Sequence, residues 1–273
     1  MAARSNHILS KRLQGIVRRF TRRRSDSGAE PTYQDDHPVS HDLLRCEIAY
    51  NKYGGYCVPR SSQHRPAARR ILAGEVYEPD TLAYIASHCD GGDIVHAGTY
   101  FGDFLPALSG AVAPGATIWA FEPNQESFRC ARVTLEINNI HNVVLTNAGL
   151  GEAQGELLVQ TLDESGQSLG GASRILSTSE SDRDGVERVS VVPVDDMVAL
   201  DRHVSIIQLD VEDYEKEALT GALQTIRRCL PIIILEVRSG STLLDSSWFS
   251  DHILALGYRR TGDVHKNAIY ACR

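Results

Sequence analysis

The sequence predicts an α/β fold in which helices cover both faces of a mostly parallel β-sheet. One observation is that short apolar segments alternate with helical patterns over residues 93–256. Another is a glycine turn after the first buried strand, followed by a second strand that ends in the carboxylate of Glu122. The third is the apolar run at residues 231–237, interrupted only by Glu236, which is typical of a central strand in a parallel sheet.

The composition is that of a soluble globular protein, with 42% hydrophobic and 23% charged residues in a chain of 273. No apolar stretch approaches the roughly 20 residues that a membrane-spanning helix needs. There is no secretory signal pattern either, so we expect a cytoplasmic protein. The six cysteines are scattered without a C-x-x-C pair, which favours reduced thiols over a disulfide framework or a zinc site.

The charge is distributed unevenly along the chain. The formal net charge is -7, but residues 1–24 hold eight of the 28 basic residues and no acid. The remainder therefore has 20 basic residues against 35 acids, a formal charge near -15. An acidic body of this kind argues against nucleic acid as the partner.

Residues 1–40 are predicted to be a basic amphipathic helix followed by a polar linker. Three interpretations stay open for the helix. It packs on the domain or on a partner subunit of a homo-oligomer, it makes a peripheral membrane contact through residues 8–24, or it is a targeting segment, since it is rich in arginine and free of acids.

Residues 41–90 are interpreted as an N-terminal cap that contributes to the substrate site. The tyrosines around Gly54 and Gly55 either close a pocket or form a hairpin with surface side chains. A helix is expected to start at residue 78, with Asp80 as its N-cap, and to end near residue 90.

Residues 91–273 are predicted to form the core, with a loop insertion at residues 163–186 that is either disordered or a lid. Helices are expected at residues 104–112, 124–138, 215–228 and 248–256. Strands are expected at residues 93–98, 117–121, 143–146, 156–161, 189–194, 204–211, 231–237, 258–260 and 268–272, the last two as an antiparallel pair.

The stretch from residue 93 to residue 124 has the pattern of a nucleotide-binding βαβ unit. Only Gly98 and Gly102 stand where a dinucleotide fold has three glycines, and no P-loop lysine follows them. This spacing suits a ligand that has a ribose but no phosphate, such as S-adenosylmethionine, with Glu122 accepting hydrogen bonds from the ribose hydroxyls. The alternative is that the glycines only end a strand and open a helix, as in any α/β protein.

Polar residues follow several of the predicted strands. Because the carboxyl ends of parallel strands meet at one edge of the sheet, these residues are expected to share one rim. They are Gly98, Glu122, Asn147, Asp210 and Glu236.

The order of these motifs resembles the FkbM family of S-adenosylmethionine-dependent methyltransferases over roughly residues 90–240. The family's D-x-G-A-N-x-G turn is similar to residues 96–102 and its F-E-P motif to residues 121–123. Its L-D-D segment is similar to residues 194–197, its K-h-D-h-E-G-x-E segment to residues 208–215 and its P-x-h-h-x-E strand to residues 231–236. Four positions depart from the pattern: His96 replaces the first acid, Tyr100 an asparagine, Gln208 a lysine and Asp213 a glycine.

The resemblance implies a Rossmann-like class I methyltransferase with a mostly parallel seven-stranded sheet and S-adenosylmethionine as cofactor. It implies methylation of a hydroxyl on a sugar, glycan precursor or natural product. The cofactor residues expected by position are His96, Gly98, Tyr100, Gly102, Asp103, Glu122, Asn124, Asn147 and Gly149.

A hydroxyl acceptor needs a base within hydrogen-bond reach. The catalytic candidates are Asp210 at the tip of its strand, Glu212 and His64, with Glu236 considered beside them. Oxygen ligands suit magnesium, and Asp195, Asp196, Asp210, Glu212 and Glu236 offer them, but no ligand spacing assigns a metal.

Two other functions stay open. One is a nicotinamide-dependent α/β oxidoreductase, which the absence of a third glycine disfavours. The other is an inactive cofactor-binding scaffold, suggested by His96 and Gln208 where the family has charged residues.

Overall fold

The computed structural model describes residues 43–89, 91–176, 185–238 and 240–272. The predicted basic helix and linker at residues 1–40 lie outside the described residues, as does the middle of the predicted insertion. Within the described residues, no helix is both long enough and apolar enough to cross a membrane.

A seven-stranded sheet forms the core, with the strand order β12-β13-β11-β10-β3-β4-β5. The five strands from β11 to β5 are parallel to one another. Strand β13 runs antiparallel to both of its neighbours, β11 and β12. The strands are β3 (Asp93–Ala97), β4 (Ile118–Phe121), β5 (Val143–Thr146), β10 (Val204–Leu209), β11 (Ile232–Glu236), β12 (Tyr258–Val264) and β13 (Asn267–Cys272). The predicted mostly parallel seven-stranded sheet is confirmed.

Helices cover both faces of this sheet. Helix α1 (Pro66–Leu72) instead packs against residues 46–59, and the helices that cover the sheet are α2 (Pro79–His88), α3 (Leu105–Ala111), α4 (Gln125–Ile137), α5 (Val194–Met197), α6 (Glu215–Thr220), α7 (Leu223–Cys229) and α8 (Ser247–His252). Alternate residues of β3 point to opposite faces. Ile94 packs against α2 and α3, whereas Val95 and Ala97 belong to the apolar cluster that includes α6, α7 and α8.

Two smaller sheets flank the core. A hairpin of β1 (Cys46–Asn51) and β2 (Gly54–Pro59) leaves Tyr50 and Tyr53 on the surface but buries Tyr56 completely, so the expected hairpin forms with two of its three tyrosines exposed. The second sheet has the order β6-β9-β7-β8, formed by β6 (Gly149–Leu150), β7 (Gly155–Gln160), β8 (Arg174–Leu176) and β9 (Val186–Val192). The two strands expected at residues 156–161 and 189–194 thus pair with each other rather than joining the main sheet.

The helix expected at residues 215–228 is two helices, α6 and α7. The chain turns at Gly221, where an added Cβ would lie 1.9 Å from the carbonyl oxygen of Gly151. This close approach of two backbones needs a residue without a side chain, so the helix ends there.

The prediction of Asp80 as the N-cap of α2 is wrong. The helix starts two residues earlier than an N-cap at Asp80 would allow, with Glu78 as N-cap and Pro79 in the first turn. Proline fixes a helical φ and lacks the N–H that the first turn leaves unpaired, so it sets the start of the helix.

The amino ends of the parallel strands form what we call the lower edge of the sheet. Asp93 is 2% exposed there and accepts hydrogen bonds from Thr117 N (2.8 Å) and Trp119 Nε1 (2.9 Å). Arg202 Nε donates to the same carboxylate at 2.8 Å, and its terminal nitrogen makes a second bond. This buried charge therefore has a complete set of partners.

Candidate functional site

The carboxyl ends of the same strands form the upper edge, where two adjoining cavities open. Gly98, Gly171, Asp210 and Glu212 line both of them. Glu122 faces the first cavity and Glu236 the second. The topology thus brings four of the five predicted rim residues to the cavities, and the fifth, Asn147, lines neither but hydrogen-bonds the backbone of Glu122.

The apolar cavity is open to solvent, has about 610 Å³ of empty space including its mouth, and is bounded mainly by aliphatic side chains and glycines. Between the ends of β3 and β4 and the small sheet, its wall includes Leu150, Leu157, Val159, Val189 and Val191. Glu122 is the polar group at the end of β4. A flat ring with attached hydroxyls matches such a lining, because the aliphatic walls bury the ring and the carboxylate pairs with the hydroxyls.

The polar cavity lies on the other side of Gly98 and is also open to solvent, with about 870 Å³ of empty space including its mouth. Charged and amide side chains from distant parts of the chain surround it. The described residues that line it include Arg65, Tyr77, Glu78, His96, Tyr100, Asp103, Phe104, Gln208, Asp210, Glu212, Glu236, Lys266 and Asn267.

Gly98 separates the two cavities and cannot be replaced without displacement. Its φ is +82°, in the left-handed region that favours glycine. A Cβ there would lie 2.0 Å from the carbonyl oxygen of Asp210. The absence of a side chain lets the tips of β3 and β10 touch and leaves the backbone open to a ligand.

The turn after Gly98 includes Tyr100, which has a φ of +52° although it is not a glycine. The tyrosine is buried, and its hydroxyl donates to Ser62 Oγ at 2.6 Å. Gly102 follows with a φ of +84°. The buried ring and its hydrogen bond hold a backbone conformation that most side chains disfavour, as occurs at ligand-binding turns.

Glu122 accepts two backbone hydrogen bonds, from Tyr100 N at 2.6 Å and from Asn124 N at 2.8 Å. Burial raises the pKa of this carboxyl to about 8, although both N–H groups act in the opposite direction. A carboxylate has room for about four hydrogen bonds, so acceptor sites remain for a ligand.

Two asparagines shape the loop around Glu122. Asn124 caps α4, accepting from Ser127 N at 2.9 Å. Asn147 Nδ2 donates to the carbonyl oxygen of Glu122 at 2.8 Å. Gly149 lines the apolar cavity. Among these three predicted cofactor residues, the two asparagines position the backbone and Gly149 forms part of the wall.

Acidic side chains crowd the polar cavity. Burial, and then the charges of Glu236 and Glu212, raise the pKa of Asp210 well above its usual range. Asp210 and Glu236 are close enough for their carboxyl groups to share a proton, which raises the pKa of Asp210 further. Burial and then the charge of Glu78 raise the pKa of Asp103 to about 7.

Glu212 stands in a strained segment just after β10. Its φ is +54° and that of Asp213 is +76°, two consecutive left-handed residues that are not glycine. Arg238 lies 3.4 Å from the Glu212 carboxylate and 3.5 Å from that of Asp213. Burial raises the pKa of Glu212, and the Arg238 charge opposes this shift. Strain of this kind is characteristic of functional loops.

His96 and Gln208 are neighbours across β3 and β10, and their side chains form a hydrogen bond through His96 Nδ1. The His96 ring stacks on Phe104, with 5.5 Å between ring centroids. Burial lowers the pKa of His96 to about 4, although the Gln208 bond raises it, so the ring is neutral at pH 7. Two positions that the family pattern gives to charged residues thus form a neutral pair.

The structure places His64 apart from the other candidates. It is exposed and lines neither cavity, and its catalytic role stays a prediction. Metal binding likewise has no support from geometry, since the described part of the chain contains no group of three or more His, Cys, Asp or Glu side chains arranged for an ion. All six cysteines are thiols.

Several lining residues had no signal in the sequence. Glu78 and Asn267 are 189 positions apart and meet through a 3.1 Å hydrogen bond. Gly170 and Gly171 come from the predicted insertion and border the apolar cavity beside Tyr100. Contacts between such distant segments depend on the tertiary fold, and no local sequence pattern predicts them.

The methyltransferase FkbM domain model matches residues 96–259, more than half of the chain. The match begins at His96 and takes in Gly98, Glu122, Asp210 and Glu236. No curated protein matches the chain.

Solved structures show a looser similarity. Methyltransferase FkbM from Methylobacillus flagellatus KT aligns at 21% identity and a TM-score of 0.45, covering 67% of this chain and 44% of that one. A SAM-dependent methyltransferase from Aquifex aeolicus aligns at 15% identity and a TM-score of 0.38, covering 72% and 89%.

The tRNA (uracil-54, C5)-methyltransferase of Pyrococcus abyssi, solved with S-adenosyl-L-homocysteine, aligns at 12% identity and a TM-score of 0.40, covering 80% of this chain and 41% of that one. The chain therefore spans less than half of the Methylobacillus and Pyrococcus structures. At these TM-scores the similarities carry no functional argument.

Proposed function

Because the chain belongs to the FkbM methyltransferase family, we propose that it uses S-adenosylmethionine to methylate a hydroxyl of a sugar, glycan or other small molecule. The observation that carries the proposal is the buried carboxylate of Glu122, which ends β4 beside the apolar cavity. A carboxylate at this place is the group that pairs with ribose hydroxyls in nucleotide-binding α/β sheets.

The residues at the upper edge fit this cofactor. The aliphatic wall of the apolar cavity suits an adenine ring, and Glu122 has acceptor sites left for the ribose. The open backbone at Gly98 leads from there to the polar cavity, where His96 and Asp103 would lie nearest the amino-acid end. When bound, the cofactor supplies an electrophilic methyl group.

A hydroxyl acceptor must lose its proton, and Asp210 is the proposed base. It lines both cavities and therefore stands at their junction. Because Asp210 and Glu236 are close enough to share a proton, Asp210 can receive the proton of the acceptor hydroxyl while its own proton passes to Glu236. The raised pKa of the carboxyl pair lies closer to neutral pH, where a general base is most effective. Glu212 is the second candidate, and His64 would need to move to reach the acceptor.

The remaining proposals concern partners and location. The excess of carboxylates around the polar cavity and the acidic body of the chain disfavour a nucleic-acid acceptor. Cytoplasmic location, peripheral membrane contact through residues 8–24, and self-association remain hypotheses. Magnesium is not needed for the steps described.

Titration calorimetry with S-adenosylhomocysteine tests the cofactor assignment. We expect binding by the full chain and a loss of about 100-fold in affinity in Glu122→Ala, the size of a lost pair of hydrogen bonds. Glu136→Ala, which removes an exposed carboxylate from α4, is the matched control and should bind normally. A parallel titration with NAD should show no heat.

Binding of NAD in place of S-adenosylhomocysteine would overturn the proposal in favour of an oxidoreductase. Binding of the cofactor product without methyl transfer to any hydroxyl acceptor in a labelled-methyl assay would favour the scaffold. An Asp210→Asn variant that binds the product normally but loses turnover would support the role of Asp210.

A further inference from the structure

Three cysteine thiols from separate elements meet between the β1–β2 hairpin and α4. Cys46 on β1 lies opposite Pro59, two residues beyond Cys57 on β2, so both thiols are on one face of the hairpin. Cys130 lies on α4, in the apolar cluster that also contains Cys57. The Cys57 thiol is close enough to each of the other two to share a proton with it. We call these three residues the thiol cluster, and the proposed function uses none of them.

Hydrogen bonds that do not involve sulfur hold the hairpin against α4. Cys57 N donates to Thr134 Oγ1 at 3.0 Å. About one turn further along α4, the side chain of Asn138 accepts from Gly55 N at 2.9 Å and donates to the carbonyl oxygen of Gly55 at 2.7 Å. The fold therefore fixes β2 beside α4, and the thiols are held together by the elements that carry them.

The three thiols differ in their access to solvent. Cys57 and Cys130 are 0% exposed, whereas Cys46 is partly exposed. Cys46 is therefore the member of the thiol cluster that a small molecule from solvent reaches first, and Cys57 lies directly behind it.

The proximity of the thiols favours a thiolate within the cluster. Cys130 lowers the pKa of Cys57 to about 7, although burial acts in the opposite direction, and Cys46 lowers it further. The thiolate is the nucleophilic form of cysteine. Because Cys46 and Cys57 are close enough to share a proton, the charge left when the pair loses one proton can lie on the sulfur that borders solvent.

Cys272 provides a comparison within the same chain. It is also partly exposed, but its thiol donates to the carbonyl oxygen of Leu256 at 3.7 Å, and burial raises its pKa. A thiol with a raised pKa and a carbonyl partner is less reactive than one that has a second thiol beside it.

We propose that the thiol cluster is a site of reversible oxidation, at which hydrogen peroxide converts Cys46 and Cys57 into a disulfide. This inference is independent of the proposed methyltransferase function. Disulfides of this kind are transient in a reducing compartment and form when an oxidant is present.

The oxidation takes place in two steps. The deprotonated sulfur of Cys46 attacks one oxygen of the peroxide, the O–O bond breaks, and the released hydroxide takes up a proton to become water, which leaves Cys46 as a sulfenic acid. The sulfur of Cys57 then attacks the sulfur of Cys46, the S–O bond breaks, and hydroxide leaves with the proton of Cys57 as a second water. The two thiols lose two electrons in total, and one peroxide is reduced to two waters.

Peptide mapping of the folded, full-length protein tests the proposal. The reduced protein is treated with a small excess of hydrogen peroxide, its free thiols are blocked with N-ethylmaleimide, and it is digested with trypsin without reduction. Cleavage at Lys52 separates Cys46 from Cys57, so residues 46–52 and 53–60 stay together only through a disulfide. We expect this linked pair, with four of the six cysteines still blocked by N-ethylmaleimide. Dithiothreitol should restore the reduced protein.

Three variants assign the chemistry to the thiol cluster. Cys57→Ala should form no disulfide and should accumulate a sulfenic acid at Cys46, which dimedone labels. Cys46→Ser changes only the partly exposed member, so it keeps the buried packing, and it too should form no disulfide. Cys272→Ser is the matched control at a partly exposed cysteine and should form the Cys46–Cys57 disulfide as the parent does.

Absence of any disulfide would overturn the inference, as would a linked peptide that contains Cys130 or Cys272. A disulfide between two chains, seen on a non-reducing gel, would also overturn it. Oxidation that dithiothreitol does not reverse would show damage to the thiols in place of a reversible site.

Discussion

Buried carboxylates have different surroundings at the two edges of the central sheet. At the lower edge, one carboxylate, that of Asp93, is surrounded by donors from Arg202, Thr117 and Trp119. At the upper edge, the carboxylates of Asp103 and Asp210 lie beside other acids, and burial raises their pKa values. The buried charge at the lower edge has an arginine partner, whereas Asp103 and Asp210 at the upper edge form no ion pair among the described residues.

This difference in pairing distinguishes a structural role for the carboxylate at the lower edge from a ligand-binding role for those at the upper edge. A buried charge with a complete set of partners contributes to a single stable fold, and its loss leaves the partners unpaired. Carboxylates that remain unpaired lower the stability of the folded chain and are tolerated where a ligand supplies what is missing. Substitutions at the lower edge should therefore destabilise the protein, and suitable ones at the upper edge should stabilise it.

The largest expected effect is at the lower edge. Asp93→Ala removes the acceptor of four hydrogen bonds and leaves the guanidinium of Arg202 and Trp119 Nε1 without it. We expect the free energy of unfolding to fall by about 3–5 kcal/mol, as when one partner of a buried ion pair is lost. Urea denaturation measures this change. Asp263→Ala, which breaks an exposed pair with Arg260, should cost less than about 1 kcal/mol. Equal costs for the two variants would remove the distinction between the edges.

The next largest expected loss of stability comes from replacing the glycine that lies between the two cavities. Gly98→Ala places a Cβ against the carbonyl oxygen of Asp210 in a left-handed conformation, so we expect a loss of about 2–3 kcal/mol in stability. The variant should also lose measurable binding of S-adenosylhomocysteine in calorimetry. Gly110→Ala is the control, because that helical glycine has nothing within 4 Å of an added Cβ and alanine favours helices. Normal ligand binding by Gly98→Ala would contradict the proposed path between the cavities.

The smallest expected change in stability is a gain rather than a loss, and its size depends on pH. The pKa of Asp103 is about 7 in the folded chain, above its ordinary value, so the folded state holds this proton over a range where the unfolded state has lost it. Stability from this group therefore falls as the pH rises from about 4 to 7. Asp103→Asn cannot lose a proton, so it should be more stable than the parent above pH 7, by about 1–2 kcal/mol.

Urea denaturation at pH 5 and pH 8 checks the Asp103→Asn prediction without added ligand. The advantage of the variant should be larger at pH 8 than at pH 5. A variant that is less stable than the parent at both values would show that Asp103 has a structural role like that of Asp93.

Local pattern was enough to predict most of the core. The β3–turn–α3–β4 unit, the strands β5, β7, β9, β10 and β11, and the terminal antiparallel pair all lie within a few residues of their predicted places, whereas β6 and β8 were not predicted. Each of these elements carries its own period of apolar residues, and parallel topology then directs their carboxyl ends to one edge. The gathering of Gly98, Glu122, Asp210 and Glu236 at that edge follows from this rule.

Other features needed contacts between distant segments. The break between α6 and α7 depends on the approach of Gly221 to Gly151, which neither local sequence reveals. The strands of the small sheet have the same alternating pattern as the core strands, so their separate pairing was not predictable.

The sequence by itself determined the fold class, the family and the groups that end each strand, because periodicity and strand-end residues are local properties of the chain. Only the tertiary structure decided that His96 and Gln208 form a neutral pair, since this depends on the register of β3 against β10. It also decided that Asn267 reaches the cavity through Glu78. Hydrogen bonds between residues so far apart in sequence form only when the packed elements fix both partners. The hydrogen-bonding groups of the polar cavity therefore depend on the tertiary structure.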